Sequence, residues 1–218
     1  MMSSETFGPL GSDKYKDYVN DIHGSGTRLL SIINGILDMS KIESGQFVLR
    51  EDDMSLNETA RGAFRSAQSV PENQDKTLTL EMELPDTTIG LHADPRVTRQ
   101  VILNLLSNAI KFTPDGGRVA LAISRRSDGS AIIEVRDSGI GMSPEDITTA
   151  LQPFVQVHGA LARKYQGAGL GLSLARKFME LHGGGIEIES TPGAGTTVRA
   201  TFPAGRVLAP RQKGRGAA

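Results

Sequence analysis

Apolar residues in the first fifth of the chain recur at steps of three or four. This spacing aligns side chains along one seam of a helix and is typical of coiled coils and helical bundles. It predicts one long helix over residues 13–43, which ends before Gly45, a residue type that commonly terminates helices. An exposed seam of this kind favours self-association until another helix covers it. The seam consists of Tyr15, Tyr18, Ile22, Gly26, Leu29, Ile33 and Ile36.

Residues beyond 45 alternate between strand-like and helix-like patterns. A short strand is expected from Phe47 to Asp52. Ser55 and Glu58 form a capping-box pattern that predicts a helix extending to about residue 68. From Thr77 to Glu83, apolar and polar residues alternate, as they do in a half-buried strand. This region therefore mixes both element types.

Turn-forming residues delimit the remaining elements. Asp94 and Pro95 supply an N-cap followed by proline at the first helical position, and the turn at 114–117 ends that helix. The strands fall largely in adjacent pairs with helices interspersed, which favours an α+β, two-layer sandwich with the helices on one face of a mixed sheet. The further predicted elements are strands 118–125 and 131–136 joined through Asp128 and Gly129, a short helix after Ser143, a helix over 167–181, and a closing hairpin of 185–189 and 196–201.

Composition and charge limit the classes of function. The chain has 218 residues, 38% of them hydrophobic, which suits one domain plus an appendage. It lacks cysteine, so disulfides and thiolate metal sites are excluded. No apolar run approaches the roughly 20 residues of a membrane span, and no signal segment is present, so a cytoplasmic location is expected. The net charge is −1, with four cations in the Gly/Pro/Ala-rich segment 206–218 that is predicted to be disordered; the remainder is acidic, so nucleic-acid binding is not expected.

A polar stripe runs along the predicted helix that begins after Asp94. Asn104, Asn108 and Lys111 are spaced four and three apart and so share one face. A carboxamide oxygen suits Mg²⁺, which takes few protein ligands and completes its shell with water and phosphate, and a lysine supplies a point charge for phosphate. The alternative is an ordinary solvated polar face.

Two glycine-rich segments follow this stripe. The first segment follows the predicted strand 131–136. Its aspartate can accept a hydrogen bond from an exocyclic amine, while its glycines allow the backbone to approach a flat base. The alternative for this segment is a plain strand-ending turn. The second opens a helix, whose free N–H groups can bind phosphate, although its spacing differs from the dinucleotide fingerprint. Their defining residues are Asp137, Gly139 and Gly141 in DSGIGM, and Gly167, Gly169, Leu170 and Gly171 in GAGLGL.

The order of these segments resembles the ATP-binding catalytic domain of sensor histidine kinases. That domain belongs to the ATPase superfamily shared with gyrase, MutL and the large heat-shock chaperones. Between Asp94 and Phe202, the family's N box matches NLLSNAIKF, and its first glycine box matches DSGIGM. Its F box matches PFVQV, which contains Phe154, and its second glycine box matches GAGLGLSLARKFMELHGG. The resemblance implies ATP and Mg²⁺ as cofactors and phosphoryl transfer to a histidine.

The resemblance also implies roles for individual residues. In the N box, Asn108 would bind Mg²⁺, and Asn104 would give polar or base-like catalytic support near the metal. Lys111 would contact phosphate, and Phe112 would pack beside the adenine. In the first glycine box, Asp137 would bind the adenine amine.

Further roles fall on the second half of the domain. Residues 158–166 would form a lid over the triphosphate, in which Arg163 matches the cation that stabilises the transferred phosphoryl group. Lys164 is a second candidate for that cation, and Gln166 could reach phosphate. Thr196 would hydrogen-bond near the adenine-binding aspartate.

The N-terminal helix resembles the second helix of the family's dimerisation and phosphoacceptor hairpin. The segment that carries this likeness is DIHGSGTRLLSIINGILDMSKIESG. It implies a partial dimerisation helix over 1–45, a catalytic domain over 46–205 and a basic tail over 206–218. The implied partners are a second copy bound through 13–43, a phosphoacceptor helix of the same family and a response regulator.

One family motif has no match. The phosphoacceptor histidine lies in a His-Glu/Asp-x-x-x-Pro box, and none of His23, His92, His158 and His182 has that context. We therefore expect either a piece of a longer kinase, which could be membrane-anchored, or a protein that uses a separate acceptor. Two alternatives stay open, namely a stand-alone serine/threonine kinase of the anti-sigma type and a non-enzymatic regulator that binds ATP.

Overall fold

The computed structural model describes residues 6, 8, 11–69, 76–155 and 169–209. The chain forms two compact units, divided between Phe47 and Val48. The first contains α1 (Asp13–Glu43), the long helix that the apolar spacing predicts. Gly45 follows it with a φ of 68°, a left-handed conformation that glycine adopts without strain. No helix in the described part of the chain is both long and apolar enough to span a bilayer.

The second unit alternates strands and helices. Its elements in chain order are β1 (Asp52–Ser55), α2 (Leu56–Gln68), β2 (Thr79–Glu83), β3 (Gly90–Ala93), α3 (Pro95–Phe112), β4 (Arg118–Arg125), β5 (Ala131–Asp137), α4 (Pro144–Ala150), α5 (Gly171–Leu181), β6 (Gly185–Thr191), β7 (Gly195–Phe202) and a 3₁₀ turn at Ala204–Arg206.

In the described part of the chain, five strands form one mixed sheet in the order β2-β4-β5-β7-β6. Strand β2 pairs with β4 in parallel, and the other pairs are antiparallel. One sheet face is apolar and buried, carrying Leu121, Val135 and Val198 in a single row. The helices α3 and α5 pack on this sheet, so the predicted α+β two-layer sandwich is confirmed.

The opposite sheet face is solvated and charged. Arg199 bridges two neighbouring strands by contacting Glu134 at 2.5 Å and Glu189 at 2.6 Å, while Arg136 reaches Glu83 at 2.7 Å. Alternating side chains of a strand point to opposite faces, so the same strands supply the core and this ion-pair surface.

The first strand of the second unit is displaced from its predicted position. The strand expected over Phe47–Asp52 is wrong, because pairing with β3 places it at Asp52–Ser55. Just upstream, the Arg50 N–H group donates to Asp94 Oδ2 at 2.8 Å rather than to a strand partner. Strand β3 itself was not predicted.

Two helix starts also differ from expectation. The helix predicted from Gly167 begins at Gly171, because Gly169 has a left-handed φ of 66° that no α-helix contains. Only half of the capping box predicted at α2 forms. Ser55 Oγ accepts from the Glu58 N–H group at 3.2 Å, but the Glu58 carboxylate lies 3.8 Å from Arg61.

The folded unit extends past the boundary predicted at residue 205. The Leu208 N–H group donates to Gly90 O at 2.9 Å, and Val207 bridges to Leu91. The Arg206 guanidinium contacts Glu51 at 2.6 Å. The prediction of a disordered tail is therefore wrong for 206–208, whereas residues 210–218 lie outside the described part of the chain.

Candidate functional site

Helix α3 is anchored at its start by the buried side chain of Asp94. Its Oδ1 atom accepts from the N–H groups of Arg96 at 3.0 Å and Val97 at 3.3 Å, as an N-cap does. Burial opposes ionisation of this carboxyl, but hydrogen bonds from Arg50, Arg96 and Val97 outweigh it and lower its pKa. The start of α3 is therefore fixed by a charged cap.

The polar stripe of α3 faces the first residue of α5. Asn104 Nδ2 donates to Gly171 O at 3.1 Å, and Asn104 Oδ1 accepts from Gln100 Nε2 at 2.9 Å. A Cβ atom on Gly171 would lie 3.7 Å from Asn108 Nδ2. The stripe and the N-terminus of α5, which lie far apart in sequence, thus form one surface.

Asn108 offers an amide oxygen at this surface. Among the described residues, its carboxamide has no hydrogen-bond partner, and no cluster of three carboxylate or histidine groups suited to a metal is present. One turn further along α3, Lys111 Nζ lies 4.9 Å from the centre of the Phe112 ring. One amide oxygen beside a lysine fits Mg²⁺ that draws most of its ligands from phosphate and water.

Asp137, the last residue of β5, lies half-buried beside the end of α3. Its Oδ1 atom accepts from the N–H groups of Gly139 at 2.8 Å and Thr196 at 3.2 Å. Burial raises the pKa of this carboxyl, although both hydrogen bonds act in the opposite direction. Within the described residues, Oδ2 accepts no hydrogen bond and can serve an incoming donor.

The turn after Asp137 is clamped between two other segments. The Ile140 N–H group donates to Phe112 O at 3.2 Å, and a Cβ atom on Gly139 would lie 2.7 Å from that same oxygen. Gly141 has a φ of 66°, and a Cβ atom there would overlap Thr191 O. Only glycine fits at both positions, so these glycines serve close backbone packing.

A serine that the sequence interpretation missed connects three parts of the site. Ser190 Oγ contacts Met142 N at 2.8 Å, Thr196 Oγ1 at 2.8 Å and Gly195 O at 3.0 Å. A signal for this residue exists in the alternation of β6, since Ser190 follows Ile186 and Ile188 on the core-facing side. A hydroxyl group at that position marks the point where the core becomes polar.

The second glycine segment joins the F-box segment through its backbone. Gly169 O accepts from the Phe154 N–H group at 3.2 Å, and Leu170 is buried just before α5. Phe154 has a φ of 63° and is 57% exposed, a strained backbone for a large side chain. Such strain is more frequent at functional sites than elsewhere.

Part of the predicted site lies outside the described residues. This applies to Arg163, Lys164, Gln166 and Gly167, and to the whole segment 158–166 expected to form a lid. Their roles stay predictions.

Three comparisons with known proteins identify relatives of this chain. Residues 93–206 match the family model described as histidine kinase-, DNA gyrase B-, and HSP90-like ATPase. The chain is 44% identical over 207 residues to the "Non-motile and phage-resistance protein" of Caulobacter vibrioides, covering 93% of this chain and 24% of that protein. It is 39% identical over 220 residues to the "Cell-division control histidine kinase PdhS" of Brucella suis, covering 96% of this chain and 21% of that protein.

A solved structure shares the fold as well. The full-length ShkA structure, determined in complex with AMPPNP, superposes with a TM-score of 0.75 at 25% identity. The match covers 93% of this chain and 41% of ShkA. The chain spans less than a quarter of the length of either curated relative.

Proposed function

This chain belongs to the histidine kinase-, DNA gyrase B- and HSP90-like ATPase family, and from that premise we propose that it is the ATP-binding catalytic portion of a sensor histidine kinase. The observation that carries the proposal is the meeting of the α3 stripe with the start of α5, through Asn104 and Gly171. In this proposal, the end of α3 connects the phosphate-binding groups to the base-binding acceptor at Asp137.

In this proposal, each part of the nucleotide has its own binding groups. The free Oδ2 of Asp137 accepts from the adenine amine, and Phe112 packs beside the base. Lys111 and the N–H groups at the start of α5 bind the phosphates. Mg²⁺, held by Asn108 with Asn104 beside it, would neutralise charge on the β- and γ-phosphates.

Phosphoryl transfer relies mainly on positioning and on charge neutralisation. Asn108, Lys111 and α5 hold the triphosphate in one orientation, and Arg163, with Lys164 as the alternative, would stabilise charge on the transferred group. The acceptor is a histidine on a phosphoacceptor helix of the same family. A response regulator then receives the phosphoryl group, in the cytoplasm.

The test combines labelled ATP, the purified chain and the phosphoacceptor hairpin of a related histidine kinase. We expect acid-labile, base-stable phosphate on the hairpin. Asn108→Ala should abolish transfer, whereas Ser124→Ala, at an exposed position of β4, should retain it. Acid-stable phosphoserine or phosphothreonine would contradict the proposal in favour of the anti-sigma type, and ATP binding without transfer would favour a regulator.

A further inference from the structure

Three hydroxyl- or carboxylate-bearing residues form one row across the sheet beside the proposed base site. Asp137 pairs with Thr196, and Thr196 pairs with Ser190, in the register of β5, β7 and β6. Directly opposed residues of antiparallel strands have Cβ atoms about 5 Å apart on the same face. The hydrogen-bonding state of Ser190 therefore acts directly on Thr196, and that of Thr196 on the surroundings of Asp137.

The contacts of Ser190 use its complete hydrogen-bonding capacity. A serine hydroxyl donates one hydrogen bond and accepts two. Gly195 O can only accept, so at 3.0 Å it takes the single Ser190 hydrogen. The Met142 N–H group can only donate, so at 2.8 Å it occupies one lone pair of Ser190 Oγ. The remaining contact, to Thr196 Oγ1 at 2.8 Å, must use the other lone pair.

Because Ser190 Oγ accepts in its contact with Thr196, the Thr196 hydroxyl must be the donor. The Thr196 hydrogen therefore points to Ser190, and the Thr196 oxygen presents only lone pairs to the proposed base site. Within the described residues Thr196 Oγ1 has no other hydrogen-bond partner. Beside it, the free Oδ2 of Asp137 is also an acceptor when ionised. The row therefore offers two acceptors and no hydroxyl donor.

We infer that Ser190 is a positioning residue that sets base specificity, since it keeps the Thr196 hydroxyl as an acceptor and so favours a purine with an amine at position 6 over one with a carbonyl. The inference rests on the proposed nucleotide function and extends it to a residue outside the glycine boxes. An amine has two hydrogens for these acceptors, whereas a carbonyl oxygen would face their lone pairs and give neither acceptor a donor.

Ser190→Ala removes the acceptor that holds the Thr196 hydrogen. The threonine hydroxyl can then rotate and donate to a 6-oxo group. We expect the affinity for inosine triphosphate to rise and the ratio of Kd values, inosine triphosphate over ATP, to fall about tenfold, which is the size of one hydrogen bond. A purely structural loss would weaken both nucleotides and could not improve binding of either.

The experiment is isothermal calorimetry of ATP and inosine triphosphate, with Mg²⁺, on four variants of the full chain. Ser190→Ala is compared with Thr196→Ala, with the double variant, and with Ser124→Ala on exposed β4 as the matched control. The inference predicts that Ser190→Ala lowers the ratio in the wild-type background and leaves it unchanged in the Thr196→Ala background. An unchanged ratio in Ser190→Ala, or an equal fall without Thr196, would overturn it.

Failure of the proposed function and failure of this inference give different results. If the unaltered chain binds neither nucleotide, the proposed function fails. If it binds ATP and the ratio of Kd values does not respond to Ser190, only this inference fails. Should Ser190→Ala not fold, Ser190→Cys serves in its place, because a thiol fills the site but is a weak acceptor. It should lower the ratio in the same direction, and an unchanged ratio would again overturn the inference.

Discussion

His182 is a buried side chain whose two ring nitrogens have different, fixed roles. The contact of Nδ1 with Phe178 O at 2.7 Å requires a hydrogen on Nδ1, because a carbonyl can only accept. Nε2 accepts from the Asp94 N–H group at 3.2 Å. The ring is therefore neutral, and burial is the main cause of its lowered pKa. The charge of Arg206 lowers that pKa further, while those of Glu51 and Asp94 act against the shift.

This lowered pKa predicts a loss of stability in mild acid. The folded pKa lies below the unfolded value of about 6.5, so the stability is complete above that value and is lost as the pH falls through the folded pKa. His182→Asn should be less stable than the unaltered chain at pH 8 but should lose less free energy of unfolding between pH 7.5 and 5. Urea titrations at several pH values measure this difference.

The control for this experiment is His23→Asn, since His23 is exposed on α1. That variant should keep the pH slope of the unaltered chain. If His182→Asn kept the same slope as well, protonation of His182 would not be the cause of the acid sensitivity.

At the scale of elements, the end of α3 is stabilised by a lysine from a distant segment. Lys76 Nζ donates to Ile110 O at 2.9 Å and to Lys111 O and Thr113 O at 2.8 Å each. The last carbonyls of a helix lack partners within it and attract positive charge. Lys76 thus caps the turn of α3 that carries Lys111 and Phe112.

Replacing this lysine should destabilise the second unit. Lys76→Met keeps most of the apolar stem but removes three charge-assisted hydrogen bonds, so we expect the free energy of unfolding to fall by about 1–3 kcal/mol. Lys177→Met, which removes a surface ion pair with Glu180 on α5, should cost no more than about 1 kcal/mol. Denaturant unfolding of both variants measures the difference, and equal losses would contradict the capping role.

The sequence predicts those elements whose first and last residues are determined by residues close to them in the chain. Helix α3 lies where its cap at Asp94 and the turn after it indicate, because cap and turn chemistry act within a few residues. Strand β1 was misplaced because its position depends on pairing with the four-residue strand β3. The contacts of Ser190 and Lys76 escaped prediction for the same reason, since their partners lie on separate segments.

At the scale of the whole molecule, the seam of α1 is an exposed apolar surface among the residues that the structure describes. Its large apolar side chains are exposed, with Ile22 at 72% and Leu29 at 58%. A Cβ atom on Gly26, between them along the seam, would have no neighbour within 4 Å. Contiguous exposed apolar surface of this kind marks an interaction site, which supports the expectation, drawn from the resemblance, of a homodimer through residues 13–43.

The homodimer expected through residues 13–43 should dissociate when charge is placed on this seam. In sedimentation experiments, the double variant Ile22→Glu with Leu29→Glu should be monomeric at concentrations where the unaltered chain is dimeric, because burying unpaired carboxylates is costly. The double variant Asn20→Glu with Thr27→Glu has the same spacing at exposed polar positions and should stay dimeric. A dimer that persisted with charge on the seam would contradict this assignment.

The central claim is that the folded second unit binds ATP through an acceptor at Asp137. Asp137→Asn tests this claim most directly. The amide oxygen can keep the hydrogen bonds from the Gly139 and Thr196 N–H groups, while the amide NH2 group puts a donor in place of the acceptor Oδ2. Because burial raises the pKa of Asp137, the ionised form costs stability, and this cost builds up as the pH rises from the unfolded pKa through the folded pKa. The variant should therefore be at least as stable as the unaltered chain at pH 7.

Calorimetry of ATP with Mg²⁺ at pH 7, on the unaltered chain and on Asp137→Asn, is therefore the decisive measurement. We predict that the variant folds with equal or greater stability and binds ATP at least about 30-fold more weakly, since it faces the adenine amine with a donor. Equal ATP affinity in the two proteins, with both folded, would contradict the account.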